Sequence, residues 1–410
     1  MSRNRVFVVS ELYYPELTST GLYMTCIAEA LAAHMTVCVL CSQPTYSSRG
    51  QRAQTDEVRE GVSIHRCWST TFSKDRVTSR IANMVTFSVS VLFEGLRRFR
   101  KGDVALVVTN PPVLPFIVGL AAAVRGAQIV LKIDDVYPDI LFATGFTRST
   151  SRLAKLLRWA SRRILLRCEK VVVIGRDMAE RVRERVGGDA ARPSVVVITS
   201  WADVDVVRAV PKGQCGLWPE LKGKFIVLHA GNLGRAQDLE TVLRAAQALG
   251  AEEDVVFVMV GSGGREAWLA AEVRGRGLRN VIIKGPLPRD RQTDFLSACD
   301  VALTVLVPGM LGVSVPSRLY NYLAAGRPVI VVGDHGSEAC LTVEEEQVGW
   351  FVGAGDWQGL ADAVRSARGN PVAVREMGRR AREVAEARFS REVVLRQYER
   401  LLNSVIGSAG

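Results

Sequence analysis

The sequence predicts an α/β protein built from two doubly wound parallel sheets, each in its own domain. Three observations carry that expectation. Short apolar runs rich in Val and Ile recur between stretches with helical spacing. The runs are near-continuous and not alternating, the pattern of strands buried on both faces under a cover of helices. They also fall into two sets, seven before residue 205 and six after it, which is the strand count of two open sheets and not of one. At 410 residues with 48% hydrophobic composition, the chain has the length of two domains of roughly 150–200 residues.

The first set of strands is expected at Val6–Ser10, Thr36–Cys41, Ser63–Cys67, Val104–Thr109, Ile129–Ile133, Val171–Ile174 and Val195–Thr199. The second is expected at Phe225–Ala230, Val255–Val260, Val281–Lys284, Val301–Val307, Val329–Val332 and Trp350–Val352. A linker is expected near Ala202–Lys224, where Pro211, Gly213, Gly216 and Pro219 cluster. A closing helix, Glu383 to Ile406, is expected to pack back on the first domain. The chain then divides as a basic first domain 1–205, a second domain 206–385 and a closing helix 386–410.

No signal peptide is expected, because Met1-Ser-Arg-Asn-Arg5 runs straight into a strand. Val104–Val124, the longest uncharged run at 21 residues, has the length of a membrane span. Asn110, Pro111, Pro112 and Pro115 interrupt it, so a strand, a turn and a buried helix are expected instead. The eight cysteines are scattered, and Cys38-Val-Leu-Cys41 lies within a strand pattern with no second pair. Buried thiols in a reducing cytoplasm are expected. Four isolated histidines form no metal constellation, so no metal is expected.

The net charge of +11 is unevenly placed. Residues 1–205 hold 28 Lys and Arg against 19 Asp and Glu, a net of +9, while residues 206–410 hold 25 against 23, a net of +2. The first half therefore faces an anionic surface or partner. Two of its helices are basic. Arg148 to Arg167 carries seven cations and no acid, with Leu153, Leu156, Leu157, Ala160 and Ile164 on one face. Ile81 to Phe93 is uncharged for 13 residues and is followed by Arg97, Arg98, Arg100 and Lys101. Both segments read either as core helices with solvated polar faces or as helices lying in a bilayer interface. No nucleic-acid motif or aromatic-interleaved basic patch accompanies the charge, so no nucleic acid is expected.

The chemistry-bearing motifs follow strands. Pro316 and Ser317 read as a helix start, with Arg318 as a fixed cation beside the unpaired N–H groups of the first turn, an arrangement that suits a diphosphate. Gly231-Asn-Leu-Gly-Arg-Ala-Gln-Asp238 follows the first strand of the second set. Its glycines allow backbone to approach a pyrophosphate, and Arg235 is expected to neutralise one, the alternative being a surface arginine. Gly261-Ser-Gly-Gly264 is the same kind of turn and weaker. In the first half, Gly21 either admits a ligand or simply opens a helix. Asp134, Asp135 and Asp139 lie just past a strand's carboxyl end, where ligands bind in open α/β sheets; clustered acids there suit sugar hydroxyls, a general base or a helix cap.

Together these features resemble the glycosyltransferases of family four, in particular the bacterial polysaccharide transferases of the WbuB and WcaI type. The resemblance covers nearly the whole chain. It rests on Tyr13-Tyr-Pro-Glu-Leu-Thr18 with Gly21, Asp135-Val-Tyr-Pro-Asp139, Ser200-Trp-Ala-Asp203, Gly231 to Gln237 with Leu239 and Glu240, and Pro316-Ser-Arg-Leu-Tyr320 with Ala324-Ala-Gly-Arg-Pro328. It implies the GT-B architecture, two Rossmann-like domains facing a cleft, and a metal-independent, retaining transfer from a nucleotide sugar, a UDP-sugar in preference to a GDP-sugar. By this resemblance the donor meets Gly21, Gly231, Asn232, Gly234, Arg235, Gln237, Gly261, Val315, Pro316, Ser317, Arg318 and Asn321. The acceptor, a saccharide on polyprenyl diphosphate at the inner face of the cytoplasmic membrane, meets Tyr14, Glu16, Thr18, Asp135, Tyr137 and Asp139. Asp134, Asp135, Arg235 and Arg318 carry the catalysis.

The sequence departs from the family at two glutamates spaced eight residues apart, which fall here at Val313 and Asn321. The second usually holds the nucleotide ribose; an amide can bond a diol only without charge assistance. Ser200 likewise replaces a usual Asn. Two other readings stay open on these residues: a silent relative acting as a binding or scaffold subunit, and a sugar-nucleotide epimerase of the same architecture.

Overall fold

The computed structural model describes residues 5–16, 18–44, 52–72, 76–188, 193–214 and 216–407. Its first sheet holds β1 (Arg5–Val9), β2 (Thr36–Cys41), β3 (Asp56–Arg59), β4 (Val62–Arg66), β5 (Val104–Val108), β6 (Gln128–Ile133), β7 (Lys170–Val173) and β8 (Ser194–Val197). The second holds β9 (Phe225–Ala230), β10 (Val255–Val260), β11 (Val281–Lys284), β12 (Val301–Val305), β13 (Val329–Gly333) and β14 (Gly349–Gly353). Their orders are β3-β4-β2-β1-β5-β6-β7-β8 and β11-β10-β9-β12-β13-β14. Every pairing is parallel except β3 with β4. This is the two-domain α/β fold expected from the Val and Ile runs.

The runs form strands because both faces of each sheet are covered. Phe7 and Val9 join one buried cluster while Val6 and Val8 join another on the opposite face. In the second sheet Ile226 and Leu228 separate from Val227 in the same way. The strand absent from the sequence reading is β3. It is a short polar edge strand, turned onto β4 through Glu60 and Gly61, both with positive φ (48° and 76°). Positive φ at both residues is the backbone of a tight two-residue hairpin turn. Cys38 and Cys41 lie three apart on β2, and burial raises both thiols, Cys41 to about 12.

The closing helix is two helices. Pro371–Arg388 ends at Phe389, and Arg391–Gly407 follows. Tertiary anchors make the break: Phe389 stacks edge-on against Tyr320 at 4.9 Å, and its carbonyl accepts from Ala202 N at 2.7 Å. The first of the two lies so close to the second domain that a Cβ on Gly378 would stand 2.4 Å from Gly326 O. The last helix buries Val394, Tyr398, Leu401, Leu402 and Val405 against the first sheet.

The loop of residues 306–316 bridges the cleft between the sheets. Asp135 and Ser314 form a one-residue antiparallel bridge, and Val136 N donates to Val313 O at 2.8 Å. The Asp177 carboxylate accepts from Gly312 N at 2.8 Å and from Met178 N at 2.9 Å. Arg176 reaches Glu338 and Glu345 at 2.9 and 2.8 Å.

No helix among the described residues is long and apolar enough to cross a membrane. Val104–Val124 divides into β5, a turn and the helix Leu114–Arg125, as its prolines require. The two basic segments are the helices Val77–Arg98 and Arg152–Leu165, and both keep large apolar side chains in solvent. The apolar arc of the second is divided: Ile164 is buried, whereas Leu153 and Leu156 are exposed.

Asp177→Asn presents an N–H to one of two backbone N–H groups that now donate to a carboxylate. A buried donor without a partner costs about 1–3 kcal/mol. The expected outcome is a lower urea midpoint and faster proteolysis within 306–316; an unchanged midpoint would show that this bond does not hold the loop.

Candidate active site

In an open parallel sheet, adjacent strands whose connections run outward on opposite sides leave a crevice at their carboxyl ends. In the second sheet that point lies between β9 and β12. The loops leaving both strands, 231–238 and 306–317, meet there. Gly231 has φ +145°, and a Cβ on it would stand 3.0 Å from Arg318 Cζ. A Cβ on Gly261 would stand 2.0 Å from Gly231 O, and one on Gly263 2.5 Å from Asn232 Oδ1. Glycine is required here because backbone stacks on backbone. Gln237 Oε1 accepts from Gly234 N at 2.9 Å and braces the first loop. Tyr322 clamps the end of β9, its hydroxyl accepting from Ala230 N at 2.8 Å.

Against this bare backbone lies Arg318, the first residue of the helix Arg318–Ala324. Its Nη1 donates to His229 Nε2 at 2.6 Å. Arginine has no acceptor, so the ring proton of His229 sits on Nδ1, 3.2 Å from Leu303 O. Burial and the adjacent guanidinium hold His229 well below the usual imidazole range, which keeps it a neutral acceptor. Burial also lowers the Arg318 pKa, yet a guanidinium remains charged in a protein. No described acid pairs with it, and its remaining donors face a cavity. A desolvated cation without a carboxylate is costly unless an anion arrives.

Two cavities adjoin at Arg318 and Asn232. The larger, about 890 Å³, is lined by Thr18, Gly231, Gly261 and Asn321 among others. The second, about 590 Å³, lies in the cleft and is lined by Asp135, Tyr137, Gly234, Arg235, Gln237 and the segment 314–318. Arg235 is exposed there, with its guanidinium 5.1 Å from the ring centre of Phe146 of the first domain. Thus Val315, Pro316, Ser317 and Arg318 come together with the glycine loop and with Asp135 and Tyr137. Burial raises the Asp135 carboxyl, reinforced by the neighbouring Asp134 charge. Burial likewise pushes the Tyr137 phenol to about 12. Among the described residues no group of three or more His, Cys, Asp or Glu gathers as a metal site would need.

Five expected site residues stand elsewhere. Gly21 is in the first turn of the helix Ser19–Ala32, its N–H held by Thr18 Oγ1 at 3.2 Å, and a Cβ on it would stand 2.8 Å from Glu16 O. It opens a helix and lines neither cavity. Glu16 is buried beneath that turn. Tyr14 lies under the Arg59 guanidinium, 4.0 Å from its ring centre. Asp134 is bonded to Lys132, and Asp139 is a buried partner of Arg185 with Arg181 at 3.8 Å. His229 and Phe146 are the residues that sequence reasoning missed. The one signal for His229 was a titratable residue inside the otherwise apolar strand Phe225–Ala230.

A carboxyl raised by burial ionises later than a free one, so its base form is lost at a higher pH than usual. The expected acid limb of any Asp135-dependent activity lies above the ordinary aspartate range and disappears in Asp135→Asn. The sign for stability is opposite. A raised pKa favours the fold below the unfolded value, and that gain is gone above the folded one. Asp135→Asn should therefore melt no lower than the parent near pH 7.

Two family models match the chain: "Glycosyl transferase 4-like domain" over residues 20–199 and "Glycosyl transferases group 1" over 218–384. WbjE of Pseudomonas aeruginosa, assigned as a probable glycosyltransferase, is 31% identical over 356 residues, covering 84% of this chain and 85% of its own. WcaI of Escherichia coli K12, assigned as a glycosyl transferase of colanic acid biosynthesis, is 29% identical over 425 residues, covering 96% and 98%. Among solved structures, Anabaena Alr3699/HepE in complex with UDP-glucose superposes with a TM-score of 0.72 at 14% identity, covering 98% of this chain and 99% of its own. With the glycine-backed arginine at the crest of its second sheet, the chain belongs to the glycosyltransferases of the GT-B fold.

Proposed function

We propose that this protein is a retaining transferase that moves a sugar from a UDP-sugar to a saccharide carried on polyprenyl diphosphate, in surface polysaccharide biosynthesis at the inner face of the cytoplasmic membrane. The observation that carries this reading is Arg318, a half-buried cation at the junction of two cavities, with no acidic partner among the described residues. A donor diphosphate is the anion that fits. The 890 Å³ cavity then takes the nucleoside, with Asn321 beside the ribose, and the 590 Å³ cavity takes the transferred sugar and the acceptor. The UDP-glucose complex of the Anabaena relative and the colanic acid assignment of WcaI support donor class and pathway.

In this reading charge accumulates on the departing diphosphate as the sugar becomes oxocarbenium-like. Arg318 and Arg235 stabilise that charge from fixed positions, so little reorganisation is needed in the transition state. The acceptor hydroxyl passes its proton to the departing phosphate, and Asp135 orients the acceptor from the opposite wall. Asp134 has no part, because it is tied to Lys132. The exposed apolar residues and the +9 charge of residues 1–205 support contact with an anionic membrane surface.

A second reading, a silent binding subunit, draws on Val313. Where the family usually has a glutamate, Val313 is buried in a cluster with Leu306 and Met310, packed against Ile140.

Thermal melting against UDP, GDP and a panel of their sugars, followed by transfer assays, separates the two. The expected result is a selective rise with UDP-sugars, lost in Arg318→Ala, and a fall in transfer of more than about tenfold in that variant. Turnover unchanged in Arg318→Ala refutes the phosphate role; nucleotide binding without turnover supports the silent subunit.

A further inference from the structure

An apolar cavity of about 620 Å³ lies within the first domain, outside the two described above. Its walls come from five helices and the end of β6, and three of the helices contribute much of the apolar lining. Met84 comes from Val77–Arg98, Phe116 from Leu114–Arg125, and Leu157, Ala160 and Ile164 from Arg152–Leu165. Its size is that of a ligand site and not of a packing defect. The Ser161 and Arg185 side chains at its wall are already bonded. The Tyr137 carbonyl accepts from Arg185 Nη1 at 2.9 Å and from Ser161 Oγ at 3.0 Å. None of the buried side-chain atoms left without a partner lines it. A space with no polar demand suits hydrocarbon and neither water nor sugar.

Two features say what that hydrocarbon is attached to. At its inner end the cavity shares Tyr137 and Leu141 with the cleft cavity. Arg80, one helical turn before Met84, lines the cleft cavity at this junction and has no acidic partner among the described residues. At its outer end Phe116 and Ile164 are shared with a surface notch framed by Trp159, Arg163 and Arg167. Around that notch the same three helices expose Val85, Val89 and Phe93, then Leu120 and Val124, then Leu153 and Leu156. The path thus runs from a cationic, apolar surface, through an apolar passage, past Arg80, to the acceptor wall.

Resting on the transferase reading above, we propose that this cavity holds the prenyl chain of the acceptor lipid, with Arg80 at its diphosphate and the saccharide in the cleft. The chain then acts as a positioning element: it fixes how far the acceptor sugar enters the cleft from the membrane side.

The test uses the full chain and a farnesyl diphosphate bearing a photoreactive group at the chain's end. The expected result is labelling of peptides that contain Leu157, Ala160 or Val182, competed by farnesyl diphosphate but not by inorganic diphosphate or phosphatidylglycerol. Ala160→Trp, or Ala160→Phe if the larger residue impairs folding, should weaken labelling at least tenfold while the UDP-sugar melting shift is kept. Labelling that persists in the filled variants, or that falls only on Phe93, Leu120 and Trp159, overturns the proposal. So does equal competition by phosphatidylglycerol. Loss of the UDP-sugar shift in the parent protein is failure of the transferase reading itself, whereas an intact shift without labelling is failure of this one.

Discussion

Arg318 is held by a neutral histidine against backbone that carries no side chain, and no described acid balances its charge. Much of the second domain follows from that. Gly231 must be bare for the guanidinium to lie where it does, and Gly261 must be bare for Gly231 O to pass. His229 must be buried deep enough to stay unprotonated, because an imidazolium could neither accept from the guanidinium nor tolerate its charge. Tyr322 then fixes the strand end from which the glycine loop departs. These contacts hold a cation in a fixed place in the crevice at some cost in stability.

The loop 306–316 gives the molecule a second constraint. It carries the residues that lead to Arg318, and it also forms the seam with the first domain through Gly312, Val313 and Ser314. The Arg318 crevice and the domain placement are therefore coupled through one short segment. Val313 explains itself in these terms. A glutamate there would bury a charge against Ile140 and Met310, whereas valine completes an apolar contact and offers its carbonyl to Val136. In this chain the position serves the seam.

The first domain faces a different problem, since three of its helices leave apolar side chains in solvent. Their spacing follows from small residues. A Cβ on Gly95 would stand 2.9 Å from Ala121 Cβ, and one on Gly119 2.6 Å from Ile164 Cδ1. Close approach at these points, with larger side chains on either side, leaves the apolar cavity between the helices. An exposed apolar surface of this kind, ringed by cations, marks a place of interaction and not of ordinary solvent contact.

The sequence by itself determined both sheets, because burial on two faces writes continuous Val and Ile runs that need no knowledge of partners. It also determined the glycine loop and Arg318, whose meaning lies in neighbours along the chain: a strand, a turn and a helix start. Tertiary structure decided what depends on distant partners. Asp134 and Asp135 are adjacent and read alike, yet one is tied to Lys132 and the other lines the cleft. Asp139 looked like a ligand until Arg185, far along the chain, neutralised it. Gly21 read equally as a contact or a helix start, and only Glu16 O beneath it chose the second. His229 and Arg318 are 89 residues apart; their pairing exists only because β9 and the helix after β12 meet at the sheet's switch point, and no local pattern records that.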